Sequence, residues 1–283
     1  MSPVLKVLHS GGGCALQDLG RPGWKRFGVP EGGAMDREAA IQSNRLVGNP
    51  DSAPVLELAM TGARFLVLKD AEFALTGADA NGSHPRWRGF AGKAGEEIRL
   101  LEMHSGVWSY LAVAGGFVGP KWFGSASVNA RAGFGIACAS GSELFAGAAN
   151  RSSAVAGRFV REEEVPRLTA ETVIPVWPGP EWEWLSKHSM SDFLCQPWTL
   201  SPHCDRTGYR LNGPVLEVPS GKMLSSPLAI GTIQLPPGGH PIVILRDGPT
   251  VGGYPRLAIL DPTTVSRFTQ CAPGTTVRFQ LRK

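Results

Sequence analysis

Nowhere in the chain do about 18 apolar residues run together, the length a helix needs to cross a bilayer, so no membrane span is expected. The N-terminus, MSPVLKVLHSGGG, lacks the apolar core of about seven residues and the small-residue cleavage site of a signal peptide. A basic run is also missing. The 28 Lys and Arg are interleaved with 24 Asp and Glu, and the net charge is only +4. Neither a nucleic-acid nor a membrane-surface role is expected from such a pattern. The five cysteines, Cys14, Cys138, Cys195, Cys204 and Cys271, are odd in number, widely spaced and free of any CxxC. That usage fits a reducing compartment better than a disulfide scaffold and, with the missing signals, leads to the expectation of a cytoplasmic protein.

The absent motifs exclude further classes. There is no GxSxG, no HExxH, no GxxxxGK[ST] and no GxGxxG following a strand. GADANGS has the first and sixth glycines of a phosphate loop but no lysine. The six histidines show no metal-ligand spacing. His203-Cys204-Asp205 is the tight cluster, but neighbours on a strand point to opposite faces, so no metal site is expected. No Met-Lys-Met biotin-attachment sequence occurs, so biotin, if used, arrives on another protein.

What is abundant is punctuation. The 36 glycines and 23 prolines are spread along all 283 residues, as expected of many short strands joined by tight turns. The length suits one large β domain or two medium ones. VLKVLHSG alternates as a half-buried strand would. Asp36 stands at an N-cap position before REAAIQSNRLVGNP, whose Ala39, Ala40, Ser43, Leu46 and Val47 share one helical face. Gly48-Asn49-Pro50 stops that helix. Strands are expected at VLELAM, ARFLVL, EFALTG, EIRLLEM and VWSYLAVAG. Later ones are expected at YRLNG, VLEVP, GTIQLP, PIVILRD, RLAILD and TVRFQL, and a second helix over WEWLSKHSMSDFL.

The two halves echo each other in order. QDLGRPGWKRFGVP answers CDRTGYRLNGP, VLEL answers VLEV, GADANGSHPRW answers RDGPTVGGYPRL, and AGKAGEEIRLL answers CAPGTTVRFQL. This suggests an internal duplication. The expected boundaries are 1–147 for the first half, 148–172 for a linker or surface excursion, and 173–283 for the second half.

Polar residues set in Gly/Pro turns are the candidates for chemistry. They are Asp18 and Arg21, Asp79 in TGADAN, the DRTGYR stretch from Asp205 to Arg210, Gln234, and Asp247 through Tyr254. A short carboxylate in a turn often just bonds the backbone two residues on. That accounts poorly for Gln234 and for the two arginines of DRTGYR.

QDLGRPGWKRFGVPEGGAMDREAAIQSNRLVGNP, VLELAMTG, ALTGADA, YLAVAGGF, GSASV, CDRTGYRLNGP, GTIQLPPGGHPIVILRDGPTVGGYPRLA and PGTTVRF resemble the biotin-dependent carboxyltransferase family. That family contains the C-type subunit of 5-oxoprolinase, allophanate hydrolase subunit 2 and the Kip-type antagonist. The resemblance implies a mainly β fold of duplicated cyclophilin-like β-barrel modules with a few short helices. It implies a subunit of an ATP-dependent 5-oxoprolinase or a biotin-dependent carboxyltransferase acting on a small amide or acid. The implied partners are a first-subunit protein of the allophanate hydrolase subunit 1 type and a third 5-oxoprolinase subunit. No cofactor is expected to be covalently bound; ATP is reached through the complex and biotin on another protein. The alternative implied is a Kip-type regulatory protein that sequesters a partner without catalysis.

Carried onto this sequence, the implied catalytic residues are Asp205, Arg206, Tyr209, Arg210 and Gln234. The implied substrate- or partner-binding residues are Asp18, Arg21, Asp79, Asp247 and Tyr254. The sequence departs from the family pattern at Ser225-Ser226-Pro227, where Ser-Glu-Gly is usual, at Ile230 in place of a proline, and at Ser127-Val128 in place of Ser-Thr.

Overall fold

The computed structural model describes residues 2–60, 62–149, 157–168, 171–219 and 223–282. The chain divides into two compact units. Unit 1 is Met1–Pro22 with Gly32–Leu168, and unit 2 is Gly23–Glu31 with Thr169–Lys283. The division at 168/169 lies inside the stretch expected to link the halves. The described residues 157–168 belong to unit 1, where Phe159 bridges to Arg88 and Glu162–Glu164 form a 3-10 turn.

The architecture is mainly β. Unit 1 carries β1 (Pro3–Ser10), β2 (Cys14–Gln17), β3 (Val55–Ala59), β4 (Ala63–Val67), β5 (Ala71–Gly82), β6 (Arg88–Gly92), β7 (Glu97–Val113), β8 (Phe117–Val118) and β9 (Glu143–Ala146). They form one nine-stranded sheet in the order β2-β3-β7-β4-β1-β9-β8, with β5 paired to β7 and β6. The two strands expected at 97–103 and 107–115 are a single strand, β7. Its first half pairs with β4 and its second with β3, while β5 runs along both. A core of Leu5, Val7, Leu56, Leu58, Phe65, Phe73, Leu75, Leu111 and Val113 lies within this wrapped sheet.

Helix α1 (Arg37–Leu46) begins as its sequence requires. Asp36 is its N-cap and accepts from Ala39 N at 3.0 Å, and Gly48 leaves it at φ 72°. Its buried face is Ala39, Ala40, Ser43, Asn44 and Leu46. Small side chains there allow close approach, and the Thr76 hydroxyl on β5 donates to Ala39 O at 2.7 Å.

Unit 2 is a closed barrel. Its strands are β10 (Glu171–Pro178), β11 (Trp198–Leu200), β12 (Gly208–Asn212), β14 (Thr232–Gln234), β15 (Ile242–Ile244), β17 (Arg256–Leu260) and β18 (Thr276–Leu281). They close in the order β10-β17-β14-β15-β12-β11-β18, and a separate ladder joins β13 (Ser226–Pro227) to β16 (Val251–Gly252). Helix α2 (Lys187–Cys195) packs Phe193 flat on Phe279, with ring centroids 4.8 Å apart, and Phe193 O accepts from Trp198 Nε1 at 3.0 Å. This helix starts five residues later than expected. Ser186 caps it by accepting from Ser189 N, and Trp182–Trp184 form a separate 3-10 turn before it. A short helix α3 (Val265–Thr269) has no clear signal in the sequence. VLEV at 215–218, expected as a strand, runs outside the ladders because Leu216 N bonds to Gly239 O in a loop.

Among the described residues no helix is long and apolar enough to cross a membrane.

Candidate functional site

In unit 2 the DRTGYR stretch ends the β11–β12 connection and enters β12. Asp205 Oδ1 accepts from Thr207 N at 2.7 Å and from Gly208 N at 3.3 Å, closing its own turn. Arg206 meets Asp247 in a two-pronged pair, Nε to Oδ2 at 2.8 Å and Nη2 to Oδ1 at 3.0 Å. The backbone fastens the same two loops, Asp247 N to Arg206 O at 2.9 Å and Leu245 N to Thr207 O at 3.0 Å. The side chains of the pair are 18% and 11% exposed, so this cation is held in a fixed plane and partly out of water. The two-pronged pair fixes the plane of the guanidinium.

Strand β12 then alternates. Tyr209 is buried, and Arg210 is exposed. The Tyr209 hydroxyl donates to Thr269 O at 2.8 Å and its ring lies against Phe268, so it fastens α3 to the barrel. The Arg210 guanidinium forms no ion pair among the described residues. Beside Asp247, the nearly buried Arg246 comes within 4.0 Å of Glu31 of the Gly23–Glu31 segment. In the same segment Lys25 Nζ donates to Leu228 O at 3.1 Å. Trp24 and Phe27 pack on each other with centroids 5.7 Å apart, and Phe27 stays largely exposed.

Gln234 is buried at the end of β14 and donates through Nε2 to Tyr254 O at 3.2 Å. A Cβ at Gly252 would come within 2.7 Å of that amide nitrogen, so glycine is what lets the loop cover Gln234 so closely. The Tyr254 side chain is itself half-exposed. Ser226 pairs with Gly252 across the β13–β16 ladder, and its hydroxyl donates to Leu224 O at 3.2 Å.

Unit 1 handles its candidates differently. Asp18 is buried, and its carboxylate takes four hydrogen bonds. Gly20 N at 2.7 Å and the hydroxyls of Ser125 and Ser127, each at 2.6 Å, reach Oδ1; Ala126 N reaches Oδ2 at 2.7 Å. Arg21 is 1% exposed, bonds to the carbonyls of Trp122 and Ser127, and lies 4.7 Å from the centre of the Phe134 ring. A Cβ at Gly32 would come within 2.8 Å of Arg21 Nη1, and one at Gly33 within 2.9 Å of Gly20 N. The glycines of this loop thus leave room for a buried knot that ties residues 17–21 to 122–134. Asp79 is exposed and paired with Arg86.

Apart from Tyr209, which is fastened to α3, the candidates fall into four groups. Asp205, Arg206 and Asp247 come together with Arg210 next on the strand; Gln234 and Tyr254 form a second group. Asp18 with Arg21 and Asp79 with Arg86 are local to unit 1. Two charged clusters escaped sequence reasoning. Glu57 Oε2 accepts from Met35 N at 2.7 Å and from the Tyr110 hydroxyl at 2.9 Å, and that hydroxyl accepts from Asp36 N at 2.7 Å. Burial raises the Tyr110 phenol well above its ordinary value. The signal was a lone glutamate inside the apolar strand VLELA. The second cluster is Glu181, which takes Arg256 Nε at 2.8 Å, Nη2 at 2.7 Å and backbone N at 2.9 Å.

Hydrogen bonds from the Arg256 guanidinium hold the Glu181 carboxyl below its ordinary value. A depressed carboxylate contributes stability above the unfolded value of about 4.3 and loses it as pH falls through the folded value. Glu181→Gln is expected to cost about 2 kcal/mol at pH 7, and the gap to wild type to shrink below about pH 4. Urea unfolding of both proteins across that range checks the sign.

Among the described residues no three His, Cys, Asp or Glu side chains are grouped to hold a metal ion.

The carboxyltransferase domain, subdomains A and B, matches residues 27–281. The chain belongs to this family. It is 34% identical to the C-type subunit of 5-oxoprolinase from Escherichia coli K12, over 98% of this chain and 90% of that protein. The crystal structure of TTHA0988 superposes with a TM-score of 0.89 at 30% identity, covering 98% of this chain and 55% of that one. The urea amidolyase of K. lactis shares the fold with a TM-score of 0.92 at 24% identity, over 100% of this chain and 19% of that one. The chain thus spans nearly all of the bacterial protein and only a part of the two solved ones. Its relatives support a subunit or segment of an oxoprolinase- or carboxylase-type system.

Proposed function

We propose that this chain is the C-type subunit of an ATP-dependent 5-oxoprolinase, active only in complex with first- and third-subunit partners. One observation carries the reading: the chain is 34% identical to its E. coli relative over 98% of its length. The K. lactis urea amidolyase matches at 24% identity, which carries the fold alone.

The unit 2 geometry suits this assignment. 5-Oxoproline offers a carboxylate and a ring amide. Arg206, its plane fixed by Asp247, supplies a stationary positive charge toward the carboxylate. Arg210 adds positive charge from the exposed face of β12, where negative charge grows as the amide opens. Asp205 shapes the turn that presents both arginines. Gln234 and Tyr254 place the β16–β17 turn beside its own barrel end. ATP supplies the energy of ring opening through the complex, and this chain binds and orients the acid.

Co-expression with first- and third-subunit proteins tests the reading against its nearest competitor. The complex is expected to consume 5-oxoproline with ATP and to leave urea untouched when a biotinylated carrier protein is supplied. Carboxylation of urea without turnover of 5-oxoproline would replace this assignment with the carboxyltransferase one.

A further inference from the structure

The cysteine count argued against a disulfide scaffold, and all five cysteines are free thiols. Two of them nevertheless meet. Cys14 opens β2 and is buried; Cys138 lies 124 residues later in sequence, in the loop before β9, and is partly exposed. Cys138 N donates to Cys14 O at 2.7 Å. With standard bond lengths, one such hydrogen bond limits the two Cα atoms to a separation of roughly 6.6 Å, inside the range a disulfide spans. Both side chains face the same apolar core.

We propose that Cys14 and Cys138 form a thiol-oxidation site, a dithiol that small disulfides convert to an intramolecular disulfide. The two cysteines divide the work by position. Cys138 is the one solvent reaches, and the neighbouring Cys14 thiol lowers its pKa from the ordinary value. That favours the thiolate at the sulfur a reagent can meet. Cys14 is shielded, and its own thiol is raised by the neighbouring Cys138 and by burial, so it stays protonated until Cys138 has reacted.

With oxidised glutathione the step balances. The Cys138 thiolate attacks one glutathione sulfur, a mixed disulfide forms, and one glutathione leaves as thiolate. That thiolate takes up a proton. Cys14 then loses its proton to water, attacks the Cys138 sulfur and expels the second glutathione. Two protein thiols have been oxidised and one disulfide reduced to two thiols.

The consequence is local to unit 1. Gln17, three residues after Cys14, donates to Val128 O at 2.9 Å, and Asp18 holds Ser125 and Ser127. The disulfide would fasten the same strand to the same loop region covalently. Closing so long a loop restricts the unfolded chain, and it raises the thermal midpoint of unit 1.

The test is oxidised glutathione on the whole protein, followed by alkylation of remaining thiols and peptide mapping. The expected product is lighter by two hydrogens, with Cys14 and Cys138 in one linked peptide that dithiothreitol separates. Exposed Cys195 serves as the internal control for reagent. In Cys14→Ser the reaction is expected to stop at a stable glutathione adduct on Cys138. Glutathione on Cys195 with both Cys14 and Cys138 still alkylated would overturn the proposal, and this comparison needs no variant to fold.

Discussion

Replacing Arg206 by alanine is expected to lower glutamate release by the assembled complex about 100-fold or more, with the barrel intact. The expectation follows from how the side chain is held. Its Nε and Nη2 are both taken by Asp247, so the guanidinium plane is fixed and carries little orientational freedom to lose on binding. Lysine is expected to restore little, because a point charge cannot reproduce the two-pronged pair. Stability separates this from simple damage. Arg206→Ala leaves Asp247 partly buried without its main partner, which is expected to lower stability by about 1–2 kcal/mol. The double variant Arg206→Ala/Asp247→Ala removes both charges and should recover much of that stability without recovering activity. Full activity in Arg206→Ala would remove this pair from the site.

Asp18→Ala is expected to be the most damaging single change to unit 1, at about 3–5 kcal/mol. Alanine would leave the Gly20 and Ala126 amides and the Ser125 and Ser127 hydroxyls without their acceptor in a buried pocket. Each stranded donor costs about 1–3 kcal/mol, and partial relaxation keeps the total below their sum. Ser125→Ala and Ser127→Ala each remove one bond to the Asp18 carboxylate and one from a backbone amide, Ser127 N and Asp18 N respectively, and should each cost about 1–2 kcal/mol. Chemical unfolding followed through a unit 1 probe measures the series. An Asp18→Ala protein within about 0.5 kcal/mol of wild type would show that the knot does not hold residues 17–21 to 122–134.

Asp18 also shows where sequence reasoning stops. The residue sits in a turn and bonds Gly20 N two residues on, as a turn carboxylate should. Its other three partners lie more than 100 residues away, and no local pattern announces them. The same limit hid Glu57 with Tyr110 and Glu181 with Arg256. Both are long-range pairings whose only trace was a carboxylate in apolar company. Elements governed by local chemistry were legible. The Asp36 cap, the small face of α1 and most strands follow from spacing and turn residues. VLEV failed because alternation alone does not provide a partner strand, and its Leu216 is spent on Gly239. Of the DRTGYR motif, Arg210 is exposed on β12, Arg206 is paired with Asp247, and Tyr209 is committed to the packing of α3.

The relatives named above include a 5-oxoprolinase subunit and a urea amidolyase, and these two give the Kip-type alternative no support. The departure at Ser226 bears on the enzyme reading directly. Ser226 stands in the β13–β16 ladder, where its hydroxyl bonds to Leu224 O, and a serine there supplies no carboxylate.

The most direct measurement is ATP-dependent glutamate release from 5-oxoproline by three separately purified subunits, with this chain present or omitted. The account predicts turnover with all three and ATP, and loss of turnover when this chain is left out. Equal glutamate release with and without it, from partners shown to bind it, would contradict the assignment.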